Sequence, residues 1–464
     1  MSKVKVGLLP LYVEIYDTYN PERRPHIEAF YKKAVAALES RGCEVIEAPV
    51  CRKEHEFKDA ISNFEKNGAD ALVTLHLAYS PSLEAEKVLA NTSLPIIIMD
   101  TTPDYKFFSA TVDGRYLTAY NHGIHGVQDM CTLLHRNRKD YQIFAGHLDH
   151  SDVADKVTAA ALGAKMAKAL RSMKVGTIGG IYDGMGDFRV PYDRLEKELG
   201  IKTVIFDEVK AKKELSEITD DQIDKLCAET SEMFKNENAV EEVLREDARF
   251  AAVVRSWIEK NDLRAFTMNF LTAQKDSGFP YPPYIETCKQ MARGIGYGGE
   301  GDVLTASLMG AVLSVYRDTA FVEMFCPDWA GNAIYLSHLG EVSPNLTVAK
   351  PRLYDLQFPY PNTNRLVKCS GTYRAGKGVY VSLAPTDEGE YTLVLSEVEM
   401  FEHPDYHDDQ PFVAGWFRPD MPVADFLEEF SAVGGTHHGI FVYGADLLAL
   451  ASFGSIMGFD VEII

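Results

Sequence analysis

Two carboxylates and two imidazoles in this chain sit where charge is costly. Glu300 lies in the turn Gly299-Glu300-Gly301-Asp302, and Glu323 in the apolar run Phe321-Val322-Glu323-Met324. His338 follows Leu336-Ser337, and His438 belongs to Gly435-Thr436-His437-His438-Gly439. Burying such groups is unfavourable unless they are paired or bind a metal. A mixed oxygen and nitrogen donor set suits Mn²⁺ or a similar divalent ion better than a thiolate site suits zinc. Each residue also has a plainer reading. Glu300 precedes a helix with Leu304, Leu308, Ala311, Val312 and Val315 on one face, so it could simply face the helix dipole. Glu323 could be a strand residue turned to solvent, and His338 a satisfied core histidine. His437 and His438 are neighbours on a strand and point to opposite faces, so at most one reaches a metal and the other contacts substrate or structure.

Other groups carry less. His122-Gly123-Ile124-His125-Gly126 reads as a pocket wall or a helix-flanking turn. His147 with His150, and His403 with His407, have ligand-like spacing without partners to complete a site, so solvated or structural roles are expected. No G-x-G-x-x-G after the first strand and no P-loop is present, so nucleotide binding has no motif behind it. The absence of G-x-S-x-G and H-E-x-x-H lowers the hydrolase readings.

The elements that must hold these residues are legible from patterning. Apolar strands are expected over 4–9, 45–46, 71–75, 96–99 and 143–145, separated by helical stretches. One helix begins at Pro25, places Ile27, Phe30, Tyr31, Ala34 and Leu38 on one face, and stops at Gly42. A second alternating block has strands over 175–178, 203–206 and 265–270, with two long helices within 219–262. Near-continuous apolar strands with helical crossovers indicate parallel sheets covered on both faces. From about residue 320 the rhythm changes to β runs such as 378–383 and 391–400, broken by Pro, Asn and Gly, as in an antiparallel sheet or small barrel. A closing helix follows Gly444. The expected fold is α/β: two Rossmann-like parallel-sheet domains, 1–172 and 173–318, followed by a mainly antiparallel β domain, 319–464.

Composition bounds the rest. With 47 Lys and Arg against 68 Asp and Glu the formal net charge is −21, which argues against nucleic acid or an anionic membrane as partner. The seven cysteines are odd in number and lack C-x-x-C, so neither a disulfide framework nor a zinc ribbon is expected. The N-terminus runs into a strand without a signal peptide, and no apolar stretch approaches the ~18–20 residues of a membrane span. A soluble cytoplasmic protein is expected.

Taken in order and spacing, these segments resemble the L-arabinose isomerase and L-fucose isomerase superfamily, closer to the arabinose branch. The resemblance rests on Gly299 to Asp302, the Glu323 strand, Ser337-His338 with Glu341-Val342-Ser343-Pro344, and Gly435 to His438, with weaker support from Asn121 to Gly126, Gly146-His147, Phe266 to Phe270 and Ser80-Pro81. It implies that Glu300, Glu323, His338 and His438 hold a metal, usually Mn²⁺ with Co²⁺ or Mg²⁺ as substitutes. It implies aldose–ketose isomerisation through a cis-enediol, with Glu300 and Glu323 combining ligation and proton transfer. His125 matches a substrate-contacting histidine that reaches a neighbouring subunit's pocket. Met185 and Phe270 match pocket walls, Tyr79 stands where the branch has phenylalanine, and His437 is the substrate-side histidine of its pair. Shared sites imply a homo-oligomer, a hexamer or trimer.

The chain also departs from the family. Leu9-Pro10-Leu11-Tyr12 replaces Gln-His-Leu-Tyr, Asp100-Thr101-Thr102-Pro103 replaces a His/Gln-rich turn, and residues 19–25, with Arg23 and Arg24, have no counterpart. The part of the pocket that reads the sugar's far end is therefore expected to differ. Three alternatives stand beside an isomerase of a neutral pentose or hexose. They are an isomerase of a terminally anionic sulfo- or phospho-sugar, a non-catalytic sugar-binding protein, and a metal-dependent hydrolase or aldolase.

Overall fold

The computed structural model describes residues 3–107, 114–357, 362–386, 389–407 and 410–464. The chain forms two compact units, Met1–Lys168 with Leu448–Ile456, and Ala169–Leu447 with Met457–Ile464.

The first unit is built on five parallel strands: β1 (Val4–Leu11), β2 (Cys43–Glu47), β3 (Ala71–His76), β4 (Ile96–Asp100) and β5 (Tyr141–Ala145). They lie in the order β2-β1-β3-β4-β5. β1 and β3 are almost wholly apolar and buried, as strands covered on both faces must be. The helix Arg24–Glu39 buries Ile27, Phe30, Tyr31, Ala34, Val35 and Leu38, the face anticipated from its 3–4 spacing. Gly42, at φ +90°, follows as a left-handed stop. The closing helix Leu447–Met457 packs against the Ala-rich helix Val153–Arg171. At Gly163 a Cβ would lie 2.7 Å from the Phe453 backbone nitrogen and 2.8 Å from the Ala449 carbonyl, so the missing side chain permits the close crossing.

The second unit opens with a four-stranded parallel sheet in the order Gly296–Gly298, Ala265–Met268, Lys174–Ile178, Lys202–Ile205. The strand anticipated over 265–270 ends at Met268. Asn269 takes the Leu271 N–H onto its side chain at 3.1 Å and turns Phe270–Thr272 into a 3₁₀ helix.

The remainder is mainly antiparallel. Gly376–Pro385 pairs with Tyr391–Phe401, which pairs with Val413–Pro419, then Ala333–Ser337, then Thr319–Asp328, then His438–Tyr443, which returns to Gly376–Pro385. Every pairing in this ring is antiparallel, so six strands close into a barrel without free edges. Its core includes Val322, Leu336, Tyr380, Val394, Met400, Phe417 and Phe441. Among the described residues no helix is long and apolar enough to cross a membrane.

The barrel wall is tight next to His438. A Cβ at Gly439 would overlap the hydroxyl of the buried Tyr380. Gly439→Ala is therefore expected to destabilise the protein by about 1–3 kcal/mol, read as a lower Tm. An unchanged Tm would mean that this stretch of wall is looser than described.

Candidate active site

Glu300 closes a turn that its neighbours make possible. The strand Gly296–Gly298 ends, Glu300 and Gly301 both take left-handed backbone conformations (φ +49° and +84°), and Asp302 starts the helix Val303–Leu313. A side chain at Gly301 would run into the Gly180 carbonyl, so glycine is required there by space as well as by φ. Left-handed backbone at a non-glycine costs of order 1–3 kcal/mol and persists where the surroundings enforce it. Here the Gly301 N–H donates to the Met268 carbonyl at 3.1 Å and the Tyr182 N–H donates to the Glu300 carbonyl at 3.0 Å.

Barrel register supplies the other three residues. Glu323 stands opposite Ser337 on one neighbouring strand and opposite His438 on the other, and His338 directly follows Ser337. Antiparallel partners at one level of a sheet lie within side-chain reach, so three sequence-distant groups arrive at one place. His438 Nε2 lies 2.9 Å from Glu300 Oε2 and 2.8 Å from Glu323 Oε1. His338 Nε2 lies 3.2 Å from Glu323 Oε1 and 3.6 Å from Glu300 Oε2. One donor atom from each of the four residues falls within 4.8 Å of all the others.

These donors can hold a divalent cation. Opposite ligands of an ion with bonds of ~2.0–2.4 Å are about twice that far apart, which the widest separation matches. Space is kept open as well, because a Cβ on Gly299 would sit 3.0 Å from His338 Nε2 and 3.4 Å from His438 Nε2. Both imidazoles present Nε2 to the cluster and place Nδ1 beside a second carboxylate, His438 in a hydrogen bond and His338 in a close ionic contact. Asp302 Oδ2 holds His438 Nδ1 at 2.9 Å while its Oδ1 accepts the Thr305 N–H at 2.8 Å, capping the helix. Glu341 Oε2 lies 2.9 Å from His338 Nδ1 and accepts the Gly340 N–H, and its Oε1 accepts the Tyr297 hydroxyl at 2.6 Å. A carboxylate on Nδ1 fixes the tautomer that leaves Nε2 free to ligate. Phe188 stacks on the His438 ring at 4.8 Å, and Phe321 meets both imidazoles edge-on at 5.0 and 5.1 Å.

The cluster is electrostatically self-compensating. Burial alone would push the Glu300 carboxyl up. The His338 charge and hydrogen bonds from both imidazoles instead hold it well below the ordinary carboxylate range. The same competition brings Glu323 down to about 2. Burial would lower the imidazoles, but the carboxylates around them lift both well above their ordinary value. A cation entering this cluster replaces protons on nitrogen.

His437, beside His438, turns outward. Its ring Nδ1 lies 2.6 Å from Asp187 Oδ2, which also accepts the His437 N–H at 2.9 Å. The opposite-face expectation does not hold: the strand begins only at His438, His437 sits in the bend before it, and the two rings lie 4.3 Å apart, with His438 buried in the cluster and His437 at its rim. Met185 and Phe270 are partly buried around Tyr182 in the same unit. The Met185 N–H reaches the Tyr182 carbonyl at 3.4 Å, and the Phe270 and Tyr182 rings lie 6.1 Å apart. Tyr79 and His125 belong to the first unit, where their rings meet edge-on at 6.3 Å. His147 and His150 pack with Tyr105, and His403 with Trp416. Asp187, Phe188 and Tyr297 carried no signal in the sequence. Asp302 and Glu341 stood inside quoted motifs, but nothing in the sequence marked either as the partner of an imidazole.

Comparison with known proteins identifies relatives across the chain. Residues 194–317 match the L-arabinose isomerase central domain, and residues 318–460 match the L-arabinose isomerase C-terminal domain. An L-arabinose isomerase of Shouchella clausii is 23% identical over 458 residues, covering 96% of this chain and 92% of its own length. Those of Clostridium beijerinckii (23%, covering 87% of this chain and 82% of the relative) and Shewanella baltica (22%, 91% and 86%) are similar too. A periplasmic sugar-binding protein from Legionella pneumophila overlaps 68% of this chain and 94% of its own, at 11% identity and TM-score 0.16, too low to bear on fold or function.

The carboxylates behind the imidazoles lead to an expectation. Asp302→Asn retains the helix cap, and Glu341→Gln retains size and polarity, yet each removes the charge that orients an imidazole. Each should weaken Mn²⁺ binding by about 10–100-fold, measured by electron paramagnetic resonance of free Mn²⁺, with thermal melting little changed. Affinity within about threefold of the parent would remove the orienting role.

Proposed function

This chain belongs to the L-arabinose isomerase family, and from that premise we propose that it is a divalent-metal-dependent aldose–ketose isomerase with Glu300, Glu323, His338 and His438 as ligands. The carrying observation is the convergence of two carboxylates and two Nε2 atoms in one buried cluster. Mn²⁺ suits this oxygen and nitrogen set, with Co²⁺ or Mg²⁺ as alternatives. A divalent ion there acidifies a sugar hydroxyl and stabilises developing negative charge on adjacent sugar oxygens. Glu300 and Glu323 move the proton between C1 and C2, one taking it as base and the other returning it as acid, through a cis-enediol. The imidazoles hold both carboxylates ionised, so one can act as base at once and the other first takes a substrate hydroxyl proton before it can act as acid. Phe188 and Phe321 exclude water around the imidazoles. A pure sugar binder would need no such pair of ionised carboxylates.

Met185, Phe270 and His437 are assigned to the substrate side of the same unit, with Asp187 steering the His437 ring. Tyr79 and His125 are assigned to the far end of the sugar bound by another subunit, in a trimer or hexamer with shared sites. We also read the chain as three domains, 1–172, 173–318 and 319–464, a division supported by family matches that meet between residues 317 and 318.

Glu300→Gln and Glu323→Gln should each lower kcat by about 10²–10⁴ with saturating metal, since an amide cannot serve as the base. During turnover in D₂O, deuterium should enter C2 of the aldose or C1 of the ketose. Retained activity in either variant would remove that residue from proton transfer, and complete absence of exchange would favour a hydride shift.

Subunit sharing has its own test. His125→Ala should raise KM or lower kcat with metal affinity intact. After subunit exchange, mixing it with Glu300→Gln should restore activity, because some interfaces then pair an intact His125 with an intact Glu300. A fully active monomer would defeat the sharing and leave the metal assignment standing.

A further inference from the structure

The strand order of the first unit reverses between β1 and β3, and in open parallel sheets ligands bind at the carboxyl ends of the strands at such a reversal. Residues that gather there have a distinctive chemistry. Tyr12 and Tyr16 follow β1, Tyr79 follows β3, and His122 and His125 open the helix Gly123–Arg136. The Tyr16 hydroxyl lies 2.9 Å from His122 Nε2, and the His122 and His125 rings are 6.2 Å apart.

Three arginines surround this end of β1. Arg24 is neutralised by Asp17 and Glu28 at 3.7 and 3.4 Å, and Arg52 by Asp17 and Glu56 at 2.8 and 2.6 Å. Arg23 is different. It is partly buried, its guanidinium lies 5.0 Å from the centre of the Tyr16 ring, and it has no carboxylate partner among the described residues. On the histidine side the acids Asp129 and Asp104 are engaged by neutral donors. Asp129 accepts from the Tyr79 hydroxyl and the Ser82 N–H, and the first turn of the helix Gly123–Arg136 contains no acidic residue. His122 Nδ1 is buried without a hydrogen-bond partner. Burial, with His125 and Arg23 adding to it, holds His122 below its ordinary pKa, so the ring offers a neutral hydrogen-bonding nitrogen there. In a chain of net charge −21, a half-sheltered guanidinium beside two imidazoles and a helix N-terminus is a place for a negative group.

We propose that this crevice takes an oxyanion, with Arg23 as the charge that reads it, so that the substrate is an aldose bearing an anionic group on its terminal carbon. The substrate half of this statement rests on the isomerase reading and on first-unit residues facing the far end of the sugar. The planar guanidinium fork matches phosphate, sulfonate and carboxylate alike. A neutral terminal hydroxyl would leave the Arg23 charge uncompensated.

The test uses the full-length, metal-loaded protein and pairs of aldopentoses and aldohexoses, each supplied neutral and as the terminal phosphate, sulfonate or carboxylate, with ketose formation as the readout. In at least one pair the anionic member should be preferred by about a hundredfold in kcat/KM, and the anion giving the highest value names the group. Arg23→Gln should shrink that preference by about tenfold or more, and Arg23→Lys should restore part of it. Equal or better use of the neutral sugars would overturn the anion subsite and leave the isomerase standing. So would a preference untouched by Arg23→Gln in a variant that melts like the parent. If no sugar is turned over, the isomerase reading fails and the subsite is decided by phosphorus NMR of inorganic phosphate with metal-free protein. Line broadening that Arg23→Gln abolishes supports it, whereas no broadening, or equal broadening in both, overturns it.

Discussion

Two glutamates facing one another inside a protein repel, and each loses its hydration. Glu300 and Glu323 tolerate this because His338 and His438 lie between them, each within 3.6 Å of both carboxylates. Each imidazole is backed in turn by another buried acid, Glu341 or Asp302. The requirement that these charges be mutually satisfied sets conditions on everything nearby. It requires a strand register that faces Glu323 with His438 and Ser337, and a turn tight enough to hold Glu300 in left-handed backbone. It also requires a helix start in which one carboxylate, Asp302, serves both cap and imidazole.

The two units answer to different constraints. The six-stranded ring and the parallel sheet beside it are organised around the charge cluster, with glycines at 299, 301 and 439 clearing space where any side chain would intrude. In the first unit the polar groups of interest gather at the carboxyl end of a sheet whose strands are otherwise apolar and buried. The charge cluster lies in one unit and the Arg23 crevice in the other.

Much of this was legible in the sequence because the relevant signals are local. Apolar runs located all five strands of the first sheet, and the 3–4 spacing from Ile27 to Leu38 identified a buried helix face. The four cluster residues stood out because a charge in apolar or Gly-rich surroundings has few explanations. What escaped was set by long-range geometry. Glu341 reads as an ordinary acid until Tyr297, 44 positions away, is seen to hold its other oxygen. Asp187 lies 250 positions from His437, the ring it steers. Membership of the helix Leu447–Met457 in the first unit depends on a close crossing at Gly163, which neither stretch of sequence announces alone. The strand expected to reach residue 270 was shortened by the side-chain hydrogen bond of Asn269, a local competitor that hydrophobic pattern does not weigh.

Closure of the barrel has an evolutionary corollary. In an open sheet an edge strand can shift or be exchanged with little effect on the others, whereas a ring of six antiparallel strands has no edge at which to begin. Sliding one strand by a single residue would turn every side chain on it inside out and break two ladders at once. The donor strands are therefore inherited as a block, and diversification is channelled into segments outside the ring. Relatives that align along most of the chain are 22–23% identical to it. The segment around Arg23, remote in sequence from every barrel strand, is where a lineage could acquire a new diet without reinventing its chemistry.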